Sequence, residues 1–293
     1  MTGRCIIVGD VMLDVSTSID TEIALASDTP ARIALLPGGA ASNTSTWMAS
    51  AGHEVTLIGC VGDDAFGSHA REVLLSAGVD ARLSNGVRAT GACVVLVDRH
   101  HERTMFPDPG ANLELTAEQV TSVLEPDSHL HMSGYTMMNE PTRPAALAAI
   151  HRAREIGATV SVDPASSAPL LRHRVMMLQA CQSVDVLLLN EAEAIVLSGA
   201  STVTEALTDL CRRVTTVVIK RGAQGVLAGQ GESRIQAPAR ETTVVDSTGA
   251  GDAFTAGFLP VWRSGDTLAA AVDAGQVMAA AAVSRVGASP LPP

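Results

Sequence analysis

Val245-Asp246-Ser247-Thr248-Gly249-Ala250-Gly251-Asp252-Ala253-Phe254 is the stretch on which the reading of this chain turns. A β-rich run, Glu241 to Val245, leads into it, and an apolar segment follows its two glycines. The pattern predicts strand, glycine turn and helix N-terminus. Backbone N–H groups at such a turn have no partner within the helix, and the helix dipole adds positive potential. The turn is therefore an anion site. A carboxylate at Asp252 is misplaced if the anion is only to be held. It makes sense if it removes a proton from a hydroxyl that attacks the anion. Anion hole plus adjacent base is the minimum apparatus for phosphoryl transfer to an alcohol. The plainer reading is a glycine turn whose acidic residue partners the dipole, so the rest of the chain must decide.

Composition narrows the class. The chain has 293 residues, 46% hydrophobic and 17% charged, enough for one large α/β domain or two small ones. Aromatics are only 2%, so the core must be aliphatic. A formal net charge of -11 argues against nucleic acid or a membrane surface as partner. Cys5, Cys60, Cys93, Cys181 and Cys211 are dispersed, with no C-x-x-C, as in reduced thiols of a cytoplasmic protein. No signal peptide is expected from the polar start, and no apolar run reaches the ~18 residues of a membrane span.

Arg4 to Val8 is a short apolar run ending in Gly9-Asp10, which reads as a buried strand with a functional edge at its carboxyl end. Gly38 to Gly52 is a small-residue helix, Val55 to Cys60 a strand, and Ala65 to Gly78 an amphipathic helix. Gly91 to Val97 and Glu102 to Phe106 form a hairpin around Asp98-Arg99-His100-His101. Beyond it strands alternate with helices: His129–Met132, Thr159–Asp163, Val184–Leu189, Val214–Ile219 and Val226–Ala228, with helices at Arg143–Ile156 and Glu205–Arg213. Continuous apolar strands between helices predict a mostly parallel sheet covered on both faces. The β-rich pieces at about 11–37 and 88–107 fall outside that alternation and predict a small lid sheet. The domain expected is a single one, 1–293.

Lys220 is the only lysine, and Arg221 follows it, so no Walker A loop exists here. No G-x-G-x-x-G follows the first strand, which speaks against a dinucleotide fold. What remains is a set of motifs at strand ends: Gly38-Gly39-Ala40-Ala41-Ser42-Asn43, Val61 to Gly67, Asp163-Pro164-Ala165, Asn190-Glu191-Ala192-Glu193 and Lys220 to Gly225. In open α/β sheets ligands bind outside the carboxyl ends of the strands, so these five are expected on one cleft. The set, in this order, resembles the PfkB family of carbohydrate kinases, the ribokinase-like family, from Val8 to Pro290. Gly-Gly-x-x-x-Asn and Asp-x-Thr-Gly-Ala-Gly-Asp carry most of the specificity.

The resemblance implies a three-layer α/β/α fold with a small β lid, and roles for matching positions. Asp252 matches the general base, and Gly249, Ala250 and Gly251 the donors to the transferring phosphoryl. Asp14, Gly38, Gly39 and Asn43 match sugar-binding positions, and Glu140, more weakly, a substrate carboxylate. Asn190 and Glu193 match residues that organise Mg²⁺ through water. Lys220, Gly222 and Gly225 match the nucleotide-side loop. Asp246 and Thr248, with Ser284 and Gly287, resemble a monovalent-cation loop, implying K⁺ beside ATP and Mg²⁺. Two positions depart from typical ribokinases: Ala40 stands where they carry Lys, and Met12 replaces a polar side chain two residues before Asp14. Hexoses, ketoses, sugar acids and nucleosides stay open as acceptors. Phe106, on the lid hairpin, could stack a base, and Arg103 could pair an acidic sugar. Both could equally be lid packing. The expected activity is ATP-dependent phosphorylation of a hydroxymethyl group on a small sugar. A nucleoside kinase of the same fold and a non-catalytic sugar or nucleotide sensor are the alternatives. An apolar lid surface (Ile33, Leu35, Leu36, Val94, Leu96) suggests a homodimer.

Overall fold

The structure, a computed structural model, describes residues 4–100 and 103–290. His101 and Glu102, expected in the hairpin turn and the strand after it, lie outside the described residues.

The strands are β1 (Cys5–Val8), β2 (Met12–Ser18), β3 (Arg32–Gly38), β4 (Val55–Gly62), β5 (Asp80–Gly86), β6 (Gly91–Val97), β7 (Arg103–Asp108), β8 (His129–Ser133), β9 (Thr159–Asp163), β10 (Val186–Asn190), β11 (Thr216–Lys220), β12 (Val226–Gln230) and β13 (Ser233–Ala237). Nine of them form one sheet in the order β13-β12-β11-β10-β9-β8-β1-β4-β5. Seven run parallel, from β11 to β5, and β12 and β13 close one edge antiparallel. The other four make a lid sheet in the order β3-β2-β6-β7. The helices are α1 (Ala40–Ser50), α2 (Ala65–Ser76), α3 (Ala117–Thr121), α4 (Gly134–Met138), α5 (Arg143–Glu155), α6 (Ser167–Arg172), α7 (Arg174–Ala180), α8 (Glu191–Ser198), α9 (Val203–Leu210), α10 (Ala250–Arg263) and α11 (Leu268–Val283).

Two apolar layers sandwich the large sheet. Residues of α3 to α9 pack on Ile6, Val8, Leu130, Met132, Val160, Val162, Leu187, Leu189, Val217 and Ile219. Residues of α1, α2, α10 and α11 pack on the alternate positions, among them Ile7, Leu57, Val186, Leu188 and Val218. This is the three-layer α/β/α arrangement, and the continuous apolar strands follow from burial on both faces.

Strand parity then places the polar ends. Side chains two apart share a face, so Asp163 shares a face with Ser161, and Lys220 with Val218. That face is the one covered by α10. His129 and His131, two apart on β8, are on it too. They are buried and bonded to Thr159 and Ser161 at 2.7–2.8 Å.

Three local expectations are corrected. Glu241–Val245 is not a strand: it runs as an exposed loop with Val244 and Val245 turned outward, because no strand edge is beside it. Only the N–H groups of Val245 and Asp246 are held, by the carbonyl of Val283 at 2.7 and 3.2 Å. β5 and β13 were not foreseen, since both are edge strands without an apolar run. The Val61–Gly67 motif sits at the right sheet edge but serves the lid. Asp64 accepts from Thr90 N at 2.7 Å, Thr90 Oγ1 at 2.7 Å and Gly67 N at 2.8 Å, fixing the root of β6. Burial raises this carboxyl, yet these donors outweigh it and hold Asp64 below its ordinary value.

Candidate active site

The centre of the site is the N-terminus of α10. Gly249 caps it in the left-handed conformation, φ 73°, and a methyl there would press on Ala288 at 2.7 Å. The C-terminal loop thus closes against the turn at a residue without a side chain. Asp252 lies in the first helical turn. Its Oδ2 accepts a hydrogen bond from Asn43 Nδ2 of α1 at 2.9 Å. The two halves of the chain that carry the distinctive motifs therefore meet in one bond. Loss of water pushes Asp252 up to about 8. The Asn43 bond and Lys220 oppose that rise, while Asp163 and Asp10 add to it.

On the side of α1, Gly39 adopts φ 96° and would drive a methyl into the carbonyl of Asp10. Asp10, two residues past β1, ties that strand's end to two other elements: it accepts from Ala40 N of α1 and from Ser133 Oγ of β8, each at 2.8 Å. The Asp14 carboxylate lies against the backbone of Gly38, where any Cβ would overlap it. Burial and the nearby Asp10 raise Asp14 to about 6. Met12 faces Asn112 Nδ2 at 3.3 Å. Glu140 is exposed in the turn after α4, apart from this bonded cluster.

On the other side, Lys220 is no surface charge. Its side chain is 15% exposed and its Nζ donates to Asp163 Oδ2 at 2.6 Å. A methyl built on Gly251 would lie 3.2 Å from that Nζ, so the ammonium stands over the glycine turn. Burial works against its charge, but Asp163 and Glu193 outweigh it and keep the ammonium protonated above its ordinary range. Asn190 and Glu193 form a reciprocal capping box at the start of α8. Glu193 Oε2 accepts from Asn190 N at 2.8 Å and Oε1 from Asn190 Nδ2 at 2.6 Å. Burial and Asp163 raise Glu193 to about 7. Gly222 and Gly225 shape the turn that leaves β11, where Arg221 N donates to Gly225 O at 2.8 Å.

Two lid residues are placed differently. Register pairs Leu35, Val15, Val94 and Phe106 in one row and Leu36, Asp14, Cys93 and Pro107 in the next. Phe106 thus faces away from Asp14, on the outer side of the lid, 57% exposed. Arg103 shares the inner side with Asp14 but pairs with Asp246 and Ser247. Asp163 and Asp10 were marked as strand ends, without a role. Tyr135 was missed entirely. Burial, with the carboxylates of Asp10, Glu193 and Asp252 around it, raises its hydroxyl to about 12, against the opposing effect of a hydrogen bond with Ser166. A single tyrosine in an aromatic-poor chain gave no signal in the sequence.

Several carboxylates around one lysine suit a ligand that brings positive charge with its phosphates. Among the described residues no three His, Cys, Asp or Glu are grouped to hold an ion by themselves. The donor set fits Mg²⁺ carried by phosphate oxygens and water; Asn190 and Glu193, bonded to each other at the start of α8, are the residues that would border that shell.

The arrangement is that of a phosphotransferase with the ribokinase-like fold. Over residues 3–293 the chain matches the pfkB family carbohydrate kinases, and it belongs to that family. It is 31% identical to a fructokinase from Klebsiella pneumoniae, over 88% of this chain and 84% of that one. It is 30% identical to the aminoimidazole riboside kinase of Salmonella typhimurium, over 76% and 72%. A double-mutant fructokinase from Vibrio cholerae O395, in fructose, ADP and potassium ion bound form, superposes with a TM-score of 0.84 at 26% identity, over 99% of this chain and 94% of that one. The protein is thus a sugar or nucleoside kinase of the PfkB family. No helix among the described residues is long and apolar enough to cross a membrane.

Proposed function

We propose that the protein transfers the γ-phosphoryl of ATP to a hydroxymethyl group of a small sugar, with Asp252 as general base. The observation that carries this is the bond between Asn43 and Asp252 at the mouth of the glycine turn. It sets the base between a sugar-side helix and an anion hole. Asp14, Asn43 and the backbone of Gly38 and Gly39 hold the acceptor hydroxyls. Asp252 takes the proton as the oxygen attacks. The N–H groups of Gly249, Ala250 and Gly251 meet the phosphoryl as charge builds, and Lys220, poised by Asp163, adds its ammonium. Mg²⁺, when bound with the nucleotide, neutralises its phosphates. The turn at Gly222 and Gly225 borders the nucleotide. A sugar is favoured over a nucleoside by the lid: its one aromatic candidate for stacking a base, Phe106, points outward. We also propose that this outer face pairs two copies.

The test is ADP release from MgATP against a panel of pentoses, hexoses, sugar acids and nucleosides, with K⁺ present. A sugar is expected to give the strongest rate. A nucleoside as the only acceptor would replace the sugar reading, and silence across the panel with ATP bound would leave a sensor.

A further inference from the structure

Among the described residues, the lid touches the anion-hole loop through one charged side chain. Arg103, first residue of β7, sends Nη2 to Asp246 Oδ1 at 2.5 Å and Nη1 to Ser247 Oγ at 3.1 Å. The pair is largely shielded, with side-chain exposures of 29% and 17%. The same Asp246 carboxylate accepts from Thr248 N at 2.8 Å and from Gly287 N at 3.0 Å. Burial alone would raise Asp246. The N–H groups of Thr248 and Gly287, the Thr248 hydroxyl and Arg103 together hold it below its ordinary value. Asp246 is therefore the knot between lid, C-terminal loop and the turn that ends at Asp252.

This bears on the monovalent cation expected at Asp246, Thr248, Ser284 and Gly287. A cation site needs several oxygens aimed at one point. Here Thr248 and Gly287 turn N–H groups toward the carboxylate. Ser284 is exposed and donates to Ala281 O at 2.8 Å. The carbonyl of Val283 accepts from Val245 and Asp246, and that of Ala288 from Trp47 Nε1 at 2.8 Å. Asp246 Oδ1 already meets a guanidinium and Thr248 N, and Oδ2 meets Gly287 N. As placed, these four residues turn one carboxylate and two N–H groups toward each other, not the oxygen shell of a metal ion, and the positive charge that meets the carboxylate is that of Arg103.

We propose that Arg103 is a positioning residue that supplies the positive charge of this loop, so that turnover needs no added monovalent cation. The guanidinium fork satisfies Asp246 and Ser247 together, which a spherical ion does not do. Its charge keeps the 246–251 turn in its anion-binding shape while the lid lies on the body. The proposal rests on the kinase reading above.

The test compares wild type, Arg103→Met and Arg103→Lys in potassium chloride and in tetramethylammonium chloride at equal ionic strength. Rates use MgATP and the acceptor found by the panel, while MgATP affinity and melting temperature are followed in parallel. Wild type is expected to turn over within about twofold in the two salts. In tetramethylammonium, Arg103→Met should lose roughly 10- to 100-fold in kcat, the effect of one charge-assisted hydrogen bond, with acceptor KM changing less. Arg103→Lys, which keeps the charge, should retain more, and K⁺ should restore part of the Met variant's rate. Wild type that is silent without K⁺, or a Met variant equal to wild type in both salts, would overturn the proposal. If no acceptor releases ADP, the kinase reading fails on its own. The loop is then judged by MgATP affinity, and an unweakened Arg103→Met sinks the proposal. Should the Met variant melt below assay temperature, the Lys variant carries the comparison.

Discussion

As the proposed general base, Asp252 would carry the site's chemistry and its pH dependence at once. A general base must be ionised, and this one titrates at about 8 because its surroundings exclude water and crowd it with carboxylates. The expected kcat/KM therefore rises with pH up to about 8, measured from ADP release between pH 5 and 9. Asp252→Asn should lower kcat by roughly 10²–10⁴-fold while MgATP still binds, and near-normal turnover would refute its role. Stability moves the other way. Asp14, Glu193 and Asp252 all have folded pKa values raised above the unfolded ones, to about 6, 7 and 8. The folded state then binds protons that the unfolded state has released, so their contribution is fully present below about pH 4. It is lost as pH rises through those values. The buried His129 and His131, held below their ordinary value, work the other way up to about pH 6.5, so the ligand-free protein should show its fall in melting temperature most clearly between about pH 6.5 and 8. Asp252→Asn, which cannot ionise, should flatten the upper part of that decline. A melting temperature that climbs across this range would contradict the assignment.

At the scale of elements, how much was legible depended on whether a signal was local. The parallel strands were, because burial on both faces leaves runs such as Val186–Leu189 wholly apolar. The glycine turn was, because Gly249 and Asp252 sit three residues apart in one motif. What α10 grows out of was not. Val244 and Val245 carry strand propensity, yet tertiary context gives them no partner, and propensity without a neighbour makes no strand. Nor could the sequence tell which strand-end motifs face the cleft. Lys220 and Asp163 meet because parity puts both under α10, whereas Asp64 turns to Thr90 and the lid. The Asp64 contacts give a prediction at this scale. Asp64→Ala leaves the N–H groups of Thr90 and Gly67 without their acceptor, costing about 2–3 kcal/mol at this half-buried position. With the root of β6 loosened, acceptor KM should rise more than kcat falls. Denaturant unfolding and initial rates check both, and a variant with unchanged stability would show that Asp64 is dispensable to the lid.

For the whole molecule, the lid poses the remaining physical question, because its two faces are treated so differently. The inner side carries Asp14, buried Cys93 and Arg103 over the body. On the outer side Ile33, Leu35, Val94 and Phe106 lie in adjoining cross-strand rows, 66%, 55%, 43% and 57% exposed. A four-stranded sheet with one apolar face open to water is incompletely buried by this chain alone. A chain of net charge -11 gains by placing an uncharged face, not its acidic surface, against a second copy. A stable dimer needs about 800 Å² from each partner, more than four side chains supply, so edges β3 and β7 must also take part. Light scattering with size exclusion at micromolar concentration should give twice the chain mass. Val94→Glu, which sets a charge in the middle of the face, should give the monomer with its own melting transition intact. Because Arg103 opens the same strand that carries Phe106, splitting the dimer should also weaken the hold on Asp246. The Val94→Glu monomer should then lose kcat in the manner of Arg103→Met, to a smaller degree. A wild-type chain that is monomeric at these concentrations, with full activity, would show that the lid is held by Arg103 and its root alone.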